Sequence, residues 1–176
     1  MNTQNIMEYS NKGSMAESLI VSDKRFQDFY RLPLMGSINE KHAMLLFSCL
    51  TPETFEAGKT IYSAGEASAG KMHIILDGKV VVHSASGYKY NSLRKGEVFG
   101  LFSFLDEQRT HSATLTVERH THALTLERTF FDLMTLEEPK LASQWMRFMF
   151  SLLSKKALEL EIEYANIHNF AFGGKV

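Results

Sequence analysis

Residues 72–100 read MHIILDGKVVVHSASGYKYNSLRKGEVFG, and this stretch decides the fold class. Short runs of β-branched and aromatic residues alternate with glycines, the pattern of short strands joined by tight turns. The same punctuation extends over residues 51–127, where seven glycines fall four to nine residues apart. Asp77-Gly78 lies between two apolar runs, and such a dipeptide predicts a tight hairpin turn. The sequence therefore predicts an all-β region here.

Six runs in this region predict strands. They are residues 60–62, 72–76, 79–83, 88–93, 113–117 and 122–127. In the last two runs apolar and polar residues alternate, so we expect one buried face and one exposed face. Strands of this length and spacing are typical of a small barrel or jelly roll.

Helical patterns flank the β region on both sides. Ser37 and Glu40 form a Ser-x-x-Glu capping box, which predicts a short helix that starts at Ser37. Thr135 and Glu138 form a second box, followed by Pro139, and predict a long helix to about residue 167. Its apolar stripe is broader than one barrel face covers, so we expect part of it to meet another chain. The stripe consists of Leu141, Trp145, Phe148, Met149, Leu152, Leu153, Leu160 and Tyr164.

Length and composition describe one folded domain with polar ends. The 176 residues are 44% apolar, enough to fill one core. We predict a flexible leader over residues 1–25, a domain over 26–167 and a tail over 168–176. Within the domain we place the β-roll at about 51–127 and the C-terminal helices at about 129–167. The predicted fold is mainly β within an α+β class: an eight-stranded jelly-roll β-barrel flanked by an N-terminal helix and a long C-terminal helix.

Charge and cysteine content exclude several classes of protein. The 19 Lys+Arg against 20 Asp+Glu give a net charge of -1, without long-range attraction to nucleic acid or an anionic membrane. The only cysteine, Cys49, excludes an intrachain disulfide and suits a reducing compartment. No run approaches the roughly 18 consecutive apolar residues of a membrane span. We expect a cytoplasmic protein without a membrane span.

The order of elements resembles the cyclic nucleotide-binding domain of the catabolite-activator and protein-kinase-regulatory-subunit type. The strings that carry the resemblance are LPL at 32–34, FEAGKTI at 55–61, GE at 65–66, HIILDGKVVV at 73–82 and GEVFG at 96–100. They follow the family's order and spacing over about residues 30–160. The resemblance implies a regulatory β-roll that binds cAMP or cGMP and performs no catalysis.

The resemblance also implies a phosphate-binding cassette. Its positions in this sequence are Phe99, Gly100, Leu101, Phe102, Ser103, Arg109, His111, Ser112 and Ala113. In the family a Glu at the position of Leu101 accepts the ribose hydroxyl, and an Arg at the position of His111 pairs with the phosphate. Losing both charged contacts removes on the order of several kcal/mol of binding free energy. We therefore predict altered or lost specificity for cyclic nucleotides, with no certain cofactor and another small anion as an alternative ligand.

Two residues remain as candidates for the missing cation. Arg109 lies two residues before His111 and would reach the pocket if the loop of residues 106–110 is arranged for it. His111 itself would bind an anion when protonated, and its ordinary pKa near 6.5 makes that partial at neutral pH.

The predicted function is a non-catalytic regulatory or sensor domain that dimerises through its long helix. The predicted dimer residues are Trp145, Phe148, Met149, Leu152 and Leu153. The alternative is an interaction module with a vestigial pocket, whose helix docks on an effector protein. A helix-turn-helix module needs roughly 50 or more residues after the long helix, more than follow here, so we expect no DNA-binding module.

A third reading is a cupin-like metal enzyme. His120, His122 and Glu127 have the spacing of a His-x-His-x4-Glu metal motif on one strand. Thr114 and Met134 replace the glycines that flank that motif, and no downstream strand histidine follows. We expect neither a metal site nor enzymatic activity.

Overall fold

The computed structural model describes residues 17–36, 38–106 and 108–172. Residues 17–22 are helical and are followed by helix α1. The elements after them are α1 (Lys24–Tyr30), a 3-10 turn (Pro33–Met35), α2 (Glu40–Ser48), β1 (Thr51–Phe55), β2 (Thr60–Tyr62), β3 (Lys71–His83), β4 (Lys89–Arg94), β5 (Val98–Phe99), α3 (Leu101–Leu105), β6 (Thr114–Glu127), α4 (Arg128–Glu137) and α5 (Pro139–Phe172).

The described strands form one antiparallel sheet in the order β1-β6-β3-β4, with β2 on β6 and β5 on β3. The predicted class is confirmed, since helices precede the sheet and a long helix follows it. The sheet is not closed, however, and the described residues contain six strands where eight were predicted. The six predicted runs correspond to four strands, because β3 and β6 each span two of them, and β1 and β5 lie outside these runs.

The hairpin predicted at Asp77-Gly78 is wrong, because β3 runs straight through this dipeptide. Its register against β6 shifts on either side of Asp77, so the residues form an irregularity inside a long strand. Gly78 has φ 113, and a Cβ there would overlap Thr121 on β6. The Asp-Gly dipeptide, which often forms a hairpin turn, thus forms an irregularity inside a continuous strand. The backbone N–H of Lys79 donates to Thr121 Oγ1 at 3.1 Å.

The sheet separates two apolar clusters. One cluster fills the space between the sheet and the helices and includes Phe29, Ile74, Leu124 and Trp145. The other fills the interior of the β-roll. The predicted alternation holds for the first half of β6, whereas residues 123–126 are buried on both faces because the helices cover the outer one.

Both predicted capping boxes are wrong. Helix α2 begins at Glu40, and Asn39 caps it by accepting from the His42 N–H at 2.9 Å. Ser37 lies outside the described residues. Thr135 lies inside α4, where its hydroxyl donates to the Phe131 carbonyl at 2.9 Å.

Pro139 separates the two C-terminal helices. It lacks an N–H and disfavours helical backbone in the residue before it, so Glu138 leaves the helix at φ -131 and ψ 64. Helix α5 then starts at Pro139, as expected for a proline in the first turn. Helical structure is present at residues 17–22, within the predicted leader, and α5 continues to Phe172, past the helix end predicted near residue 167.

Candidate functional site

The site is organised around the junction between β5 and α3. A short helix is present at Leu101–Leu105, with Gly100 before it at φ 77. A Cβ at Gly100 would overlap the carbonyl oxygen of Lys71 on β3. Glycine is therefore required here both by the left-handed backbone and by the close approach of a strand.

A small cavity, here called the cassette cavity, lies beside this junction. Its free volume is about 60 Å³. Of the predicted site residues the structure brings seven together around it, and Tyr62 and Thr110 join them. The lining residues are Tyr62, Gly100, Phe102, Ser103, Arg109, Thr110, His111, Ser112 and Ala113. Sites for small organic ligands usually enclose roughly 300–1,000 Å³, so this cavity is too small for a nucleotide as it stands.

The cavity is small because His111 and Tyr62 fill it. The two rings are stacked with centroids 3.6 Å apart and 8° between their planes. His111 is buried, and burial lowers its pKa, while Glu66 nearby opposes that shift. Burial raises the pKa of the Tyr62 hydroxyl. The space that the resemblance assigns to a cyclic phosphate thus holds two neutral rings at neutral pH.

Backbone hydrogen bonds hold His111 in this position. Its N–H donates to the Glu66 carbonyl at 2.9 Å, and its carbonyl accepts from the Gly65 N–H at 2.8 Å. On the side chain, His111 Nδ1 lies 3.4 Å from Ser103 Oγ, which donates to the Gly100 carbonyl at 3.1 Å. Because the Ser103 proton is directed to Gly100, Ser103 Oγ acts as the acceptor for His111.

Arg109 does not supply a buried cation. Its guanidinium lies 5.8 Å from the centre of the Phe102 ring, and both side chains are exposed at the mouth of the cassette cavity. Such a contact contributes about 0.5–1 kcal/mol at an exposed site. Arg109 therefore covers Phe102 at the rim, without a buried charge inside the β-roll.

Two predicted site residues point away from the cassette cavity. Leu101 is buried in the cluster between sheet and helices. Phe99 is buried in the interior of the β-roll and stacks on His73 with centroids 4.5 Å apart. A carboxylate at position 101 would accordingly enter an apolar cluster in this structure.

His73 is an interior residue that the sequence analysis did not single out as part of the site. Its Nδ1 lies 2.8 Å from Thr125 Oγ1, which donates to Glu53 Oε2 at 2.9 Å. Burial, together with the nearby Lys71 and His111, lowers the pKa of His73 to about 3. Although Glu53 Oε2 is 3.5 Å from Nδ1, the Thr125 hydroxyl already donates to that oxygen, so a neutral His73 that donates to Thr125 satisfies the network.

The residues of the cupin-like motif are engaged with other side chains. His120 Nδ1 is 3.1 Å from Glu56 Oε2, and Glu127 pairs with Lys71 at 3.0 Å. His122 Nδ1 is 3.4 Å from the Thr54 hydroxyl. Across the part of the chain that the structure describes, no group of three or more potential ligands could hold a metal ion.

Three of the predicted dimer residues lie in the chain's own core. Trp145, Phe148 and Met149 are buried between the sheet and the helices, and Leu152 and Leu153 pack against that cluster at the edge. The exposed apolar side chains of α5 are Phe150, Leu158, Leu160, Ile162, Tyr164, Ile167 and Phe170. Trp145, Phe148 and Met149 are therefore not available to a second chain in this structure.

Taken together, these elements form a β-roll followed by two helices, with a short helix directly after Gly100. Residues 52–137 match the family model described as the cyclic nucleotide-binding domain, so the resemblance found in the sequence is confirmed over this segment. No match was found among curated protein sequences.

Solved structures share this fold at low sequence identity. A cyclic nucleotide-binding domain from Methylobacillus flagellatus is 18% identical with a TM-score of 0.65, over 82% of this chain and 81% of that one. The catabolite activator protein of Thermus thermophilus is 24% identical with a TM-score of 0.56, over 75% and 63%. The regulatory subunit of a cAMP-independent protein kinase A from Trypanosoma cruzi, bound to guanosine, is 21% identical with a TM-score of 0.59, over 85% and 50%.

None of the described helices is both long and apolar enough to cross a membrane.

Proposed function

We propose that this chain is a non-catalytic regulatory domain whose cassette cavity does not accept cAMP or cGMP in the family's usual manner. The observation that carries the proposal is the Tyr62–His111 stack, with ring centroids 3.6 Å apart, inside a cavity of about 60 Å³. A cyclic nucleotide would have to displace both rings before its phosphate reached the start of α3.

The charges around the cassette cavity also disfavour binding of a cyclic nucleotide. A desolvated phosphodiester needs a nearby cation, because burying an unpaired charge costs several kcal/mol or more. Burial lowers the pKa of His111, so it is neutral at neutral pH. Arg109 is held on Phe102 at the rim. Neither residue supplies the fixed guanidinium that the family pairs with the phosphate.

Calorimetric titration tests the proposal. We expect no saturable heat with cAMP or cGMP at about 1 mM, a concentration at which a ligand bound with only ~4 kcal/mol would half-fill its site. His111→Arg returns a permanent cation to the cassette and should strengthen binding of cAMP relative to the wild type. Micromolar binding of cAMP by the wild-type chain would refute the proposal.

A neutral nucleoside is the second candidate ligand. Like a cyclic nucleotide, it would have to displace the Tyr62–His111 stack, but the uncharged His111 favours it over one, since a ligand without phosphate needs no cation. The trypanosomal regulatory subunit described as cAMP-independent was solved with guanosine, and it shares this fold. Guanosine therefore belongs in the same titration; saturable heat with guanosine alone would establish this second candidate.

We also propose that two copies of the chain associate through α5. Residues 154–171 are all exposed, a length of about 27 Å at 1.5 Å per residue. Apolar residues recur along α5 at alternating spacings of three and four, the heptad pattern of a coiled coil. They are Met146, Phe150, Leu153, Ala157, Leu160, Tyr164, Ile167 and Ala171.

Charged residues beside this heptad stripe favour a parallel pair. In a parallel coiled coil, the residue just before every second stripe position faces the residue five places later on the partner chain. In this chain those stripe positions include Ala157 and Tyr164. That rule places Lys156 opposite Glu161 of a second copy, and Glu163 opposite His168. Within one chain Lys156 contacts Glu159 at 3.2 Å, an exposed pair that can rearrange at little cost.

A further inference from the structure

A second cavity, here called the helix groove, lies between α5, the Pro33–Met35 turn and the β4–β5 connection. Its free volume is about 290 Å³, against about 60 Å³ for the cassette cavity. The two cavities share Gly100 and Phe102 in their linings. The groove is thus the larger of these two free spaces, and of its lining the function proposed above uses only Lys156.

The walls of the helix groove are apolar. Leu34 comes from the turn, Leu93 and Val98 from the sheet, and Leu152 from α5. Phe102 adds an aromatic ring that is half exposed. A groove lined mainly by apolar side chains, with a few polar groups at its edge, is the usual composition of a small-molecule site.

The rim of the groove carries an excess of positive charge. Lys95, Lys155 and Lys156 line it together with the carboxylates of Glu97 and Glu159. The Glu97 carboxylate accepts from the backbone N–H of Arg94 at 2.8 Å, and Glu159 pairs with Lys156 at 3.2 Å.

Lys155 is the rim lysine that is available to form an ion pair with a ligand. Lys95 lies 3.7 Å from Asp28, and Lys156 is paired with Glu159. Among residues 17–36, 38–106 and 108–172, no carboxylate forms an ion pair with Lys155. An anionic group at the α5 side of the groove would therefore form an ion pair with Lys155.

We propose that the helix groove binds a small amphipathic carboxylate, with its apolar body on Phe102, Leu93 and Leu152 and its carboxylate on Lys155. The groove holds about ten non-hydrogen atoms, at ~30 Å³ each, the volume share of a water molecule in the liquid. Such a ligand touches both the β-roll and α5, so its occupancy biases the position of α5 relative to the sheet. The proposal is independent of whether cAMP enters the cassette cavity.

Octanoate, which has ten non-hydrogen atoms, is the probe. Calorimetric titration of the full chain with octanoate should show saturable binding, with a Kd on the order of 1 mM or tighter for a ligand of this size. Lys155→Glu should weaken binding about tenfold or more, as expected from losing one charged hydrogen bond. Lys140→Glu, on the same helix but outside the groove, should leave the affinity unchanged. The uncharged 1-octanol should bind about tenfold more weakly than octanoate.

Three outcomes would overturn the proposal. The first is no saturable heat with octanoate up to several times the expected Kd. The second is equal affinity of the wild type and Lys155→Glu, or of octanoate and 1-octanol, because binding would then not depend on the carboxylate. The third is that octanoate does not bind while Lys155→Glu changes the mass measured by light scattering. That result would show that a second copy of the chain occupies the groove. Equal melting temperatures of the two lysine variants confirm that folding is not the cause.

Discussion

Single residues decide what the interior of the β-roll can hold. Phe55, His73 and Phe99 contact one another edge to face or stacked, and Tyr62 and His111 extend this group of rings to the cassette cavity. The interior is thus occupied by aromatic and imidazole rings that are neutral at neutral pH. An anionic ligand finds no fixed counter-charge among them.

Gly100→Ala should destabilise the domain by about 2–4 kcal/mol, because an added Cβ meets the Lys71 carbonyl oxygen at a left-handed backbone position. Denaturant unfolding followed by circular dichroism gives the change. Gly87→Ala is the matched control, since Gly87 has φ 84 but nothing within 4 Å of an added Cβ. Its cost should be about 1 kcal/mol. Equal losses in the two variants would contradict the close packing of β5 against β3.

Acid should destabilise the domain through His73. Its pKa is about 3 in the folded state and 6.5 when exposed, so between these values the unfolded chain binds more protons. The free energy of unfolding should therefore fall as pH drops from about 6.5 toward 3, by at most ~1.4 kcal/mol per pH unit from this group. Burial lowers the pKa of His111 as well, which acts in the same direction.

The measurement is urea unfolding at several pH values between 7.5 and 4.5. His73→Gln retains a donor for Thr125 but does not titrate, so its stability should fall less steeply with acid than that of the wild type. His42→Gln removes an exposed histidine of α2 and serves as the comparison. The same slope in His73→Gln and the wild type would show that His73 is not buried in neutral form.

At the level of elements, the two halves of α5 differ in their surroundings. Its first half packs on the sheet through Trp145, Phe148 and Met149, and its second half projects from the domain. An exposed helix with large apolar side chains gains little stability by itself, since isolated helices of this length are marginal in water. Association along the heptad stripe would bury these side chains.

Leu160→Glu should abolish association, because it places a charge on the heptad stripe of both chains. Leu158→Glu is the control: Leu158 is 57% exposed and Leu160 51%, but Leu158 lies off the stripe. Light scattering at tens of micromolar should give the mass of a dimer for the wild type and Leu158→Glu, and of a monomer for Leu160→Glu. A monomeric wild-type chain, or equal effects of the two substitutions, would refute association through this stripe.

For the whole molecule, the sequence predicted the class of fold, the strand β2 and most of the residues around the cassette cavity. These features depend on local signals, namely turn glycines, apolar periodicity and the spacing of a family motif. The strand through Gly78 was not predictable in this way, because the same Asp-Gly dipeptide serves a hairpin or a bulge, and only the pairing with Thr121 decides.

The interior of the site depends on contacts that are distant in sequence. Tyr62 reaches His111 because the 63–67 loop is hydrogen-bonded to the cassette. His73 is neutral because it is buried, and its ring N–H donates to Thr125 on β6. Tyr62 stands outside the quoted motifs, and His73 stands in the 73–82 string without a role assigned to its side chain. Leu101 and His111 were recognisable as departures from the family pattern, but the stack that fills the cavity was not.

The central claim is that the Tyr62–His111 stack closes the cassette cavity to cyclic nucleotides. A crystal structure of the full chain soaked in about 10 mM cAMP, roughly ten times the Kd of a ligand bound with only ~4 kcal/mol, tests it most directly. The account predicts that Tyr62 and His111 remain stacked and that no nucleotide lies between Gly100 and Ser112. A cAMP molecule with its phosphate at the start of α3 and the two rings displaced would contradict it.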